Sequence, residues 1–270
     1  MTVRRVGPAH VEWVAARLTN RDWQIVEAVN KVRLLTGQQI ERLFFSDLAP
    51  GRSRIASRSR ALHRLVAWRV LMPLPRRIGG AGRGSTTSAF ALDSTGQLLM
   101  REQLLAAGQP PRVRRPGAPT ERTVRHILAV SEAYVALTEA GRMHGFAVEQ
   151  FVAEPGSWWP NGLGGYVKPD AYAVLATSSV RDHWWCELDM ATESLPAVKR
   201  QLAAYADFWD RGQPGPGKVM PRVVVATTTP ERRQAIAAVV KRLSPSVPPD
   251  LFRIVRIHEL AQSLYEVLRE

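Results

Sequence analysis

Three carboxylates in the second half of the chain have the residue types and the spacing to bind a divalent metal. Glu187 and Asp189 lie two residues apart in a predicted strand, so both side chains point to the same face. Two carboxylates on one face of a buried strand repel each other unless an opposite charge compensates. Hard cations prefer carboxylate oxygens, and Asp170 on the neighbouring predicted strand completes a candidate Mg²⁺ site. Such a site activates water and stabilises a phosphate leaving group.

An alternative interpretation of the three acids requires no metal. The same residues are compatible with a strand end that solvent reaches and that arginine neutralises, for example Arg181 or Arg222. The spacing of the acids does not distinguish the two interpretations, and both stay open at the level of sequence.

The elements that must position these carboxylates alternate between strand and helix patterns. The predicted strands cover 147–153, 166–177, 183–190, 222–227 and 252–257. The predicted helices cover 121–142, 195–209, a segment capped by Thr229, and 258–268, with Ser194 as the cap of the second. This order predicts an α/β domain with a central mixed sheet.

Five tryptophans accompany these elements. Large aromatic side chains dominate protein interiors, so we expect the tryptophans in the core rather than in a ligand-binding cage. They are Trp158, Trp159, Trp184, Trp185 and Trp209.

Three helices are predicted in the first 71 residues of the chain, over 18–32, from a capping-box pattern at 36–39, and over 53–71. Apolar residues cluster on one side of the third helix. Serine and arginine line its opposite side at helical spacing, at Ser53, Ser57, Arg60 and Arg64. Such a stripe suits the major groove of DNA, where arginine contacts guanine edges or phosphates.

A glycine-rich segment with a strand pattern on either side follows the third helix. It carries three arginines, Arg76, Arg77 and Arg83. Three helices followed by a basic β-hairpin are typical of a winged helix-turn-helix, in which the wing contacts the DNA backbone or the minor groove. A small helical domain with a solvated arginine face is the alternative.

The charge distribution separates the two halves of the chain. Of 37 Lys and Arg and 24 Asp and Glu, residues 1–120 hold 20 basic and 7 acidic, and the remainder holds 17 of each. We therefore predict a winged-helix DNA-binding domain at 1–108, a linker rich in Pro and Arg at 109–120, and an α/β domain at 121–270. Composition alone allows nucleic acid or an anionic membrane as the partner, and the helix stripe and the glycine-rich segment favour double-stranded DNA.

Cysteine content and hydropathy exclude several other classes of protein. Cys186 is the only cysteine, which excludes an intramolecular disulfide and an all-cysteine zinc site. No apolar run reaches about 20 residues, the length of a transmembrane helix. The first residues lack the apolar core of a secretory signal, so we expect a cytoplasmic protein without a membrane partner.

Two short motifs in the second half resemble a nuclease superfamily. Asp170 in the segment KPD, followed by Glu187 and Asp189 in the segment ELD, resembles the core of PD-(D/E)xK nucleases. Gln201 and Tyr205, spaced as Q-x3-Y, are similar to an element of the RecB-like nucleases in that superfamily.

Taken whole, the chain resembles the replication-relaxation family of plasmid and integrated-element proteins over about residues 18–210. The segments that carry the resemblance are LTNRDWQIVEAV, SRALHRLVAWRVLMPL, YVKPDAYAVL and WWCELDMATES. The resemblance implies an N-terminal winged helix joined to a restriction-endonuclease-like α/β domain of the PD-(D/E)xK type. It also implies DNA binding in plasmid replication initiation or in relaxing DNA at a transfer origin.

The sequence departs from the nuclease pattern at one position. Asp189 stands where the superfamily carries a lysine that stabilises charge near the attacking water. An aspartate binds metal but does not supply that positive charge. Lys199 in the following helix is a candidate replacement, and Glu132 or Glu139 is a candidate for a further acid. An inactive nuclease fold retained for binding or assembly is the alternative.

Three functions follow from these observations. The first is a DNA-binding accessory protein of replication initiation or conjugative DNA relaxation, with a relaxase or replication initiator as its protein partner and a homodimer as its candidate assembly. The second is a Mg²⁺-dependent endonuclease or nickase that acts through Asp170, Glu187 and Asp189. The third is a winged-helix transcriptional regulator whose second domain oligomerises or senses a ligand.

Overall fold

The computed structural model of this mixed α/β protein describes residues 6–74, 88–109 and 120–269. The chain divides into two compact units, Met1–Ser131 and Glu132–Glu270, and the boundary lies inside a long helix. The linker predicted at 109–120 falls almost entirely outside the described residues. None of the described helices has both the length and the apolarity that crossing a membrane requires.

The elements of the first unit are, in chain order, α1 (Pro8–Ala15), α2 (Asn20–Val32), β1 (Leu35–Thr36), α3 (Gly37–Phe44), α4 (Arg52–Ala67), β2 (Leu71–Pro73), β3 (Ala89–Leu92) and α5 (Ser94–Ala106). The three predicted helices are α2, α3 and α4, whereas α1 has no counterpart among the predictions. α4 ends before 71 because Arg69 takes a left-handed backbone conformation, with φ at 57°, and Leu71 begins β2.

Two reciprocal caps fix where α2 and α3 begin. The Thr19 hydroxyl accepts a hydrogen bond from the backbone N–H of Asp22 at 3.2 Å, and the Asp22 carboxylate accepts one from the N–H of Thr19 at 2.9 Å. Thr36 and Gln39 form the same pair at 3.1 and 2.9 Å. The predicted capping box of α3 is therefore confirmed, and Thr19 caps α2.

The strands of the first unit form a three-stranded sheet in the order β1-β3-β2. β2 pairs with β3 in antiparallel register, with Leu71 opposite Leu92. β3 matches the strand pattern predicted after the glycine-rich segment, whereas β2 lies before the predicted hairpin. The segment itself, at 75–87, lies outside the described residues.

The remaining elements are α6 (Glu121–His144), β4 (Ala147–Ala153), β5 (Trp159–Pro160), β6 (Tyr166–Val167), β7 (Ala171–Ala176), β8 (Arg181–Asp189), α7 (Leu195–Asp210), β9 (Arg222–Thr227), α8 (Pro230–Val240), β10 (Phe252–Arg256) and α9 (Leu260–Leu268). The strands predicted at 147–153 and 222–227 are confirmed with the same bounds. The strand predicted at 166–177 is wrong as a single strand, because Pro169 has no N–H for a ladder hydrogen bond and separates β6 from β7.

β8 is the middle strand of a five-stranded mixed sheet with the order β10-β9-β8-β7-β4. β8, β9 and β10 are parallel, and β7 is antiparallel to both of its neighbours. The predicted caps Ser194 and Thr229 start α7 and α8. Trp185 of β8 packs against Tyr205 of α7 with 5.3 Å between ring centroids, and Glu187, two residues further along, points to the same side.

The five tryptophans divide between core and surface. Trp184 and Trp185 are fully buried, as expected, and Trp159 is half-buried. Trp158 and Trp209 are 37% and 38% exposed, so the core prediction is wrong for these two.

Candidate functional site

Glu187 is a buried carboxyl group held by two residues of α7. The Tyr205 hydroxyl donates to its Oε1, and the Gln201 Nε2 donates to its Oε2 at 2.6 Å. Gln201 and Tyr205 lie four residues apart, so one turn of α7 presents both donors to the strand. Burial, followed by the charge of Asp170, raises the pKa of Glu187 well above its usual value, although the Tyr205 hydrogen bond opposes the shift.

Asp170 lies level with Glu187 at the start of the neighbouring strand. Ala171 is opposite Cys186 in the antiparallel β7–β8 ladder, which brings the residue before Ala171 beside the residue after Cys186. The Asp170 Oδ2 accepts a hydrogen bond from the backbone N–H of Leu188 at 2.7 Å. Asp170 is therefore fixed to β8, and its charge acts on Glu187 at close range.

Asp189 is neutralised by an arginine that the sequence reasoning missed. Arg232 Nε donates to Asp189 Oδ2 at 2.6 Å, and Arg232 Nη2 donates to Asp189 Oδ1 at 3.0 Å. The same Nη2 donates to the carbonyl of Glu193 at 2.8 Å. Both partners are largely buried, with 14% of the arginine side chain and 8% of the aspartate side chain exposed. The pair is thus a shielded, bidentate ion pair between β8 and the first turn of α8.

The arginines named as alternative partners have other acids. Arg181 binds Glu149 at 2.8 Å, and Arg222 binds Asp182 at 2.7 Å. Neutralisation by arginine therefore holds for Asp189, but through Arg232 of the helix α8 and not through either of the two strand arginines.

The three carboxylates do not have equal capacity for a metal ion. Both oxygens of Asp189 accept from Arg232, so a cation there would have to displace the guanidinium. A divalent cation at Asp170 and Glu187 would instead offset both the burial and the repulsion by Asp170 that raise the pKa of Glu187. Each Glu187 oxygen accepts one described hydrogen bond and keeps a further lone pair.

The serine and arginine side chains of the α4 stripe have different environments. Ser53 and Arg60 are exposed, Ser57 is half-buried, and Arg60 Nη2 donates to Ser57 Oγ at 3.2 Å. Arg64 Nη2 instead binds both oxygens of Asp22, at 2.7 and 2.8 Å. Arg64 thus binds Asp22, the capping-box partner of Thr19, while Arg60 points to solvent.

A groove of about 610 Å³ lies between the first turn of α2 and this stripe. From α2 it is lined by Asn20, Arg21 and Gln24, among others, and from α4 by Ser57, Arg60 and Arg64. Basic side chains from two helices thus converge on one concave surface. The remaining predicted DNA contacts, Arg76, Arg77 and Arg83, lie outside the described residues.

Comparison with protein families matches residues 26–223 to the family model described as Replication-relaxation. The chain belongs to the replication-relaxation family. The predicted family resemblance is therefore confirmed. Comparisons with curated proteins and with solved structures found no match.

The range matched by the replication-relaxation family contains most of the residues described above. Asp170, Glu187, Gln201 and Tyr205 all lie within it, and so does the stripe of α4. Arg232 lies beyond it. The partner of Asp189 thus comes from a part of the chain that the family model does not cover.

Lys199, the candidate replacement cation in this replication-relaxation protein, is exposed. It precedes Gln201 by two residues, which turns it about 200° around the helix from the side chain that binds Glu187. No ion pair joins Lys199 to a carboxylate in the part of the chain that the structure describes. The structure therefore places the buried cation next to Asp189 on α8 and not on α7.

Proposed function

We propose that this member of the replication-relaxation family is a DNA-binding accessory protein in plasmid or mobile-element replication initiation, or in DNA relaxation for conjugative transfer. Family membership supports a role in replication or DNA relaxation in general. The observation that carries the DNA-binding part is the groove lined by Arg21 and Arg60, in the half of the chain that holds the whole positive excess. A polyanion is the partner that such a surface attracts.

The order of helices and strands in the first unit supports this proposal. α2, α3 and α4 precede the antiparallel strands β2 and β3, which is the element order of that domain class. In this proposal α4 enters the major groove. We assign the wing to the segment between β2 and β3, which lies outside the described residues. We expect Arg76, Arg77 and Arg83 to contact the phosphate backbone or the minor groove.

The two arginines of the stripe have different roles in the proposal. Arg60 is exposed, and its one described hydrogen bond goes to Ser57, so its guanidinium can turn to a phosphate or a guanine edge. Arg64 is held by Asp22 and shapes the wall of the groove. Ser53 and Ser57 add hydroxyl groups that bind phosphate oxygens.

The test is a salt titration of binding to duplex DNA from the replication or transfer origin of the host element. Affinity should fall steeply with salt, since phosphate contacts release counterions. Arg60→Ala should lower the slope of log affinity against log salt by about 1. Arg101→Ala is the matched control, because it removes the same charge from an exposed position on α5 of the same unit.

Two results would contradict the proposal: binding that does not depend on salt, or an Arg60→Ala variant that behaves like Arg101→Ala. A footprint over a promoter instead of an origin would favour the alternative, a winged-helix transcriptional regulator.

A Mg²⁺-dependent endonuclease or nickase is the second candidate function. It is favoured by Gln201 and Tyr205, which both bind Glu187 next to Asp170, the arrangement that the resemblance to PD-(D/E)xK nucleases implies. Asp170 and Glu187 would hold the cation, which activates water and stabilises the leaving group when it is bound. Arg232 then places a guanidinium, paired with Asp189, at the end of β8 where that superfamily has lysine.

Nicking of supercoiled plasmid with Mg²⁺ or Mn²⁺ tests the second function. Asp170→Ala should abolish nicking, whereas Asp250→Ala, an exposed loop acid, should not. Mg²⁺ should also raise the melting temperature of the wild type but not of Asp170→Ala, because the ion binds only the folded site. Absence of any cleavage, or equal cleavage by wild type and Asp170→Ala, excludes this function.

A further inference from the structure

A short hairpin of the second unit presents an aromatic face to solvent. β5 and β6 pair with Trp159 opposite Val167, and both of these residues point inward, since Val167 is buried and Trp159 packs against the core. Alternation then directs their neighbours outward. Trp158 is 37% exposed, and Tyr166 is 55% exposed. Leu163, in the turn of the hairpin, is 70% exposed.

The hairpin is fixed in place by hydrogen bonds at both ends. In the turn, the Asn161 side-chain oxygen accepts from the backbone N–H groups of Leu163 and Gly165 at 2.9 and 3.0 Å. At the base, the buried Ser157 hydroxyl donates to the carbonyl of Pro169 at 2.6 Å. The exposed rings therefore sit on a preorganised support, which reduces the entropy cost of binding a ligand.

Positive charge lies beside the Trp158 ring and at the turn of the hairpin. The Lys168 Nζ is 4.8 Å from the centroid of the Trp158 ring. Arg211, at the end of α7, donates to the carbonyl of Asn161 at 3.2 Å and stays exposed. Aromatic faces with adjacent cations are the combination that binds unpaired nucleic acid, because the bases stack on the rings and the phosphates meet the cations.

We propose that the β5–β6 hairpin binds single-stranded DNA, with bases stacked on Trp158 and Tyr166 and phosphates at Lys168 and Arg211. This inference rests on the proposed role in replication or DNA relaxation, in which duplex opening exposes unpaired strands. The first unit would then hold the duplex, and the hairpin would hold the unpaired strand.

The test measures binding of fluorescein-labelled oligothymidylate and of a duplex to the full-length protein. The double variant Trp158→Ala/Tyr166→Ala should lower oligothymidylate affinity by roughly tenfold to a hundredfold, the loss expected for removing base stacking. Its duplex affinity should stay within about twofold of wild type, because the duplex contacts lie in the first unit. Leu163→Ala is the matched control, since it removes apolar surface from the same hairpin without removing a ring.

A second variant tests the proposal without removing either ring, so that it does not depend on whether the double variant folds. Lys168→Gln retains both rings and should lower the salt slope for oligothymidylate by about 0.7, the value for one phosphate contact on a single strand. Wild-type oligothymidylate affinity in the ring variant, or an equal loss in Leu163→Ala, overturns the hairpin proposal. It is also overturned if the wild type binds the duplex but not oligothymidylate, while salt-dependent duplex binding still supports the proposed function. Failure to bind either DNA overturns both.

Discussion

The guanidinium of Arg232 binds both carboxylate oxygens of Asp189 in a pair that is largely shielded from solvent. It neutralises the negative charge of Asp189 from a helix residue 43 positions further along the chain. The aspartate and the arginine therefore act as one unit, and a change to either residue alone leaves a buried charge without its partner.

Asp189→Lys alone should destabilise the protein, because it sets an ammonium group against the buried Arg232 guanidinium. We expect a loss of at least about 2 kcal/mol in the free energy of unfolding. The double variant Asp189→Lys/Arg232→Asp restores opposite charges and should recover most of the loss. Urea unfolding of the three proteins measures both effects.

The control for this charge reversal is the exposed pair Arg181 and Glu149. Reversing that pair should change stability little, since solvent screens both charges. If Asp189→Lys is as stable as the wild type, the Arg232 pair does not hold β8 to α8.

Substitution of Arg64 should lower stability, whereas substitution of Arg60 should weaken DNA binding. Arg64→Ala leaves the buried Asp22 without its guanidinium and should lower the free energy of unfolding by about 1–2 kcal/mol. Arg60→Ala changes an exposed position and should stay within about 0.5 kcal/mol of wild type while it weakens duplex binding. Urea unfolding and a duplex-binding titration on both variants check this division.

Asp22→Asn provides the control for the Arg64 prediction. It removes the charge that Arg64 neutralises, so adding Arg64→Ala to it should cost less than Arg64→Ala costs in the wild type. Strictly additive losses would contradict an ion pair between Arg64 and Asp22.

Local signals allowed much of this fold to be predicted from the sequence. Thr36, Ser194 and Thr229 cap their helices through hydrogen bonds to residues three positions away, so nearby sequence alone specifies them. The two-residue period of a strand likewise placed Glu187 and Asp189 on one face.

Contacts between distant segments could not be predicted in this way. The partner of Asp189 is Arg232, and the neighbouring sequence offers Arg181 and Arg222 on equal terms. The packing of α8 on the sheet decides which guanidinium binds Asp189. The exposure of Trp158 was missed for the same reason, because its neighbour Trp159 fills the core position on that strand.

Tyr205→Phe should destabilise the second unit. The hydroxyl of Tyr205 donates to Glu187 inside the core, and its removal leaves the Glu187 oxygen with one fewer donor. We expect a loss of about 1–3 kcal/mol in the free energy of unfolding, the cost of an unsatisfied buried polar group. Tyr265→Phe is the control, because that ring stacks on His144 and its loss of a hydroxyl leaves the stacking intact. Equal effects of the two substitutions in thermal unfolding would contradict a specific Tyr205–Glu187 bond.

Glu187 should make stability depend on pH in the direction opposite to an ordinary surface acid. Burial and the charge of Asp170 raise its folded-state pKa above the usual 4.5. Its contribution to stability is therefore fully present below the unfolded pKa and is lost as the pH rises through the folded pKa. Glu187→Gln removes the titration, so the variant should gain melting temperature over the wild type as the pH increases. We expect the difference in melting temperature to widen steadily as the pH rises above the unfolded pKa.

Glu259 provides a control of opposite sign for this pH dependence. Hydrogen bonds from the Arg256 backbone and side chain lower the pKa of Glu259, so its contribution is present above the unfolded pKa and is lost as the pH falls through the folded pKa. Glu259→Gln should therefore lose melting temperature relative to wild type as the pH increases, whereas Glu187→Gln gains it. Thermal unfolding of the wild type, Glu187→Gln and Glu259→Gln across the same pH range measures both effects. If the difference between Glu187→Gln and wild type is constant with pH, folding does not raise the pKa of Glu187, and the prediction is contradicted.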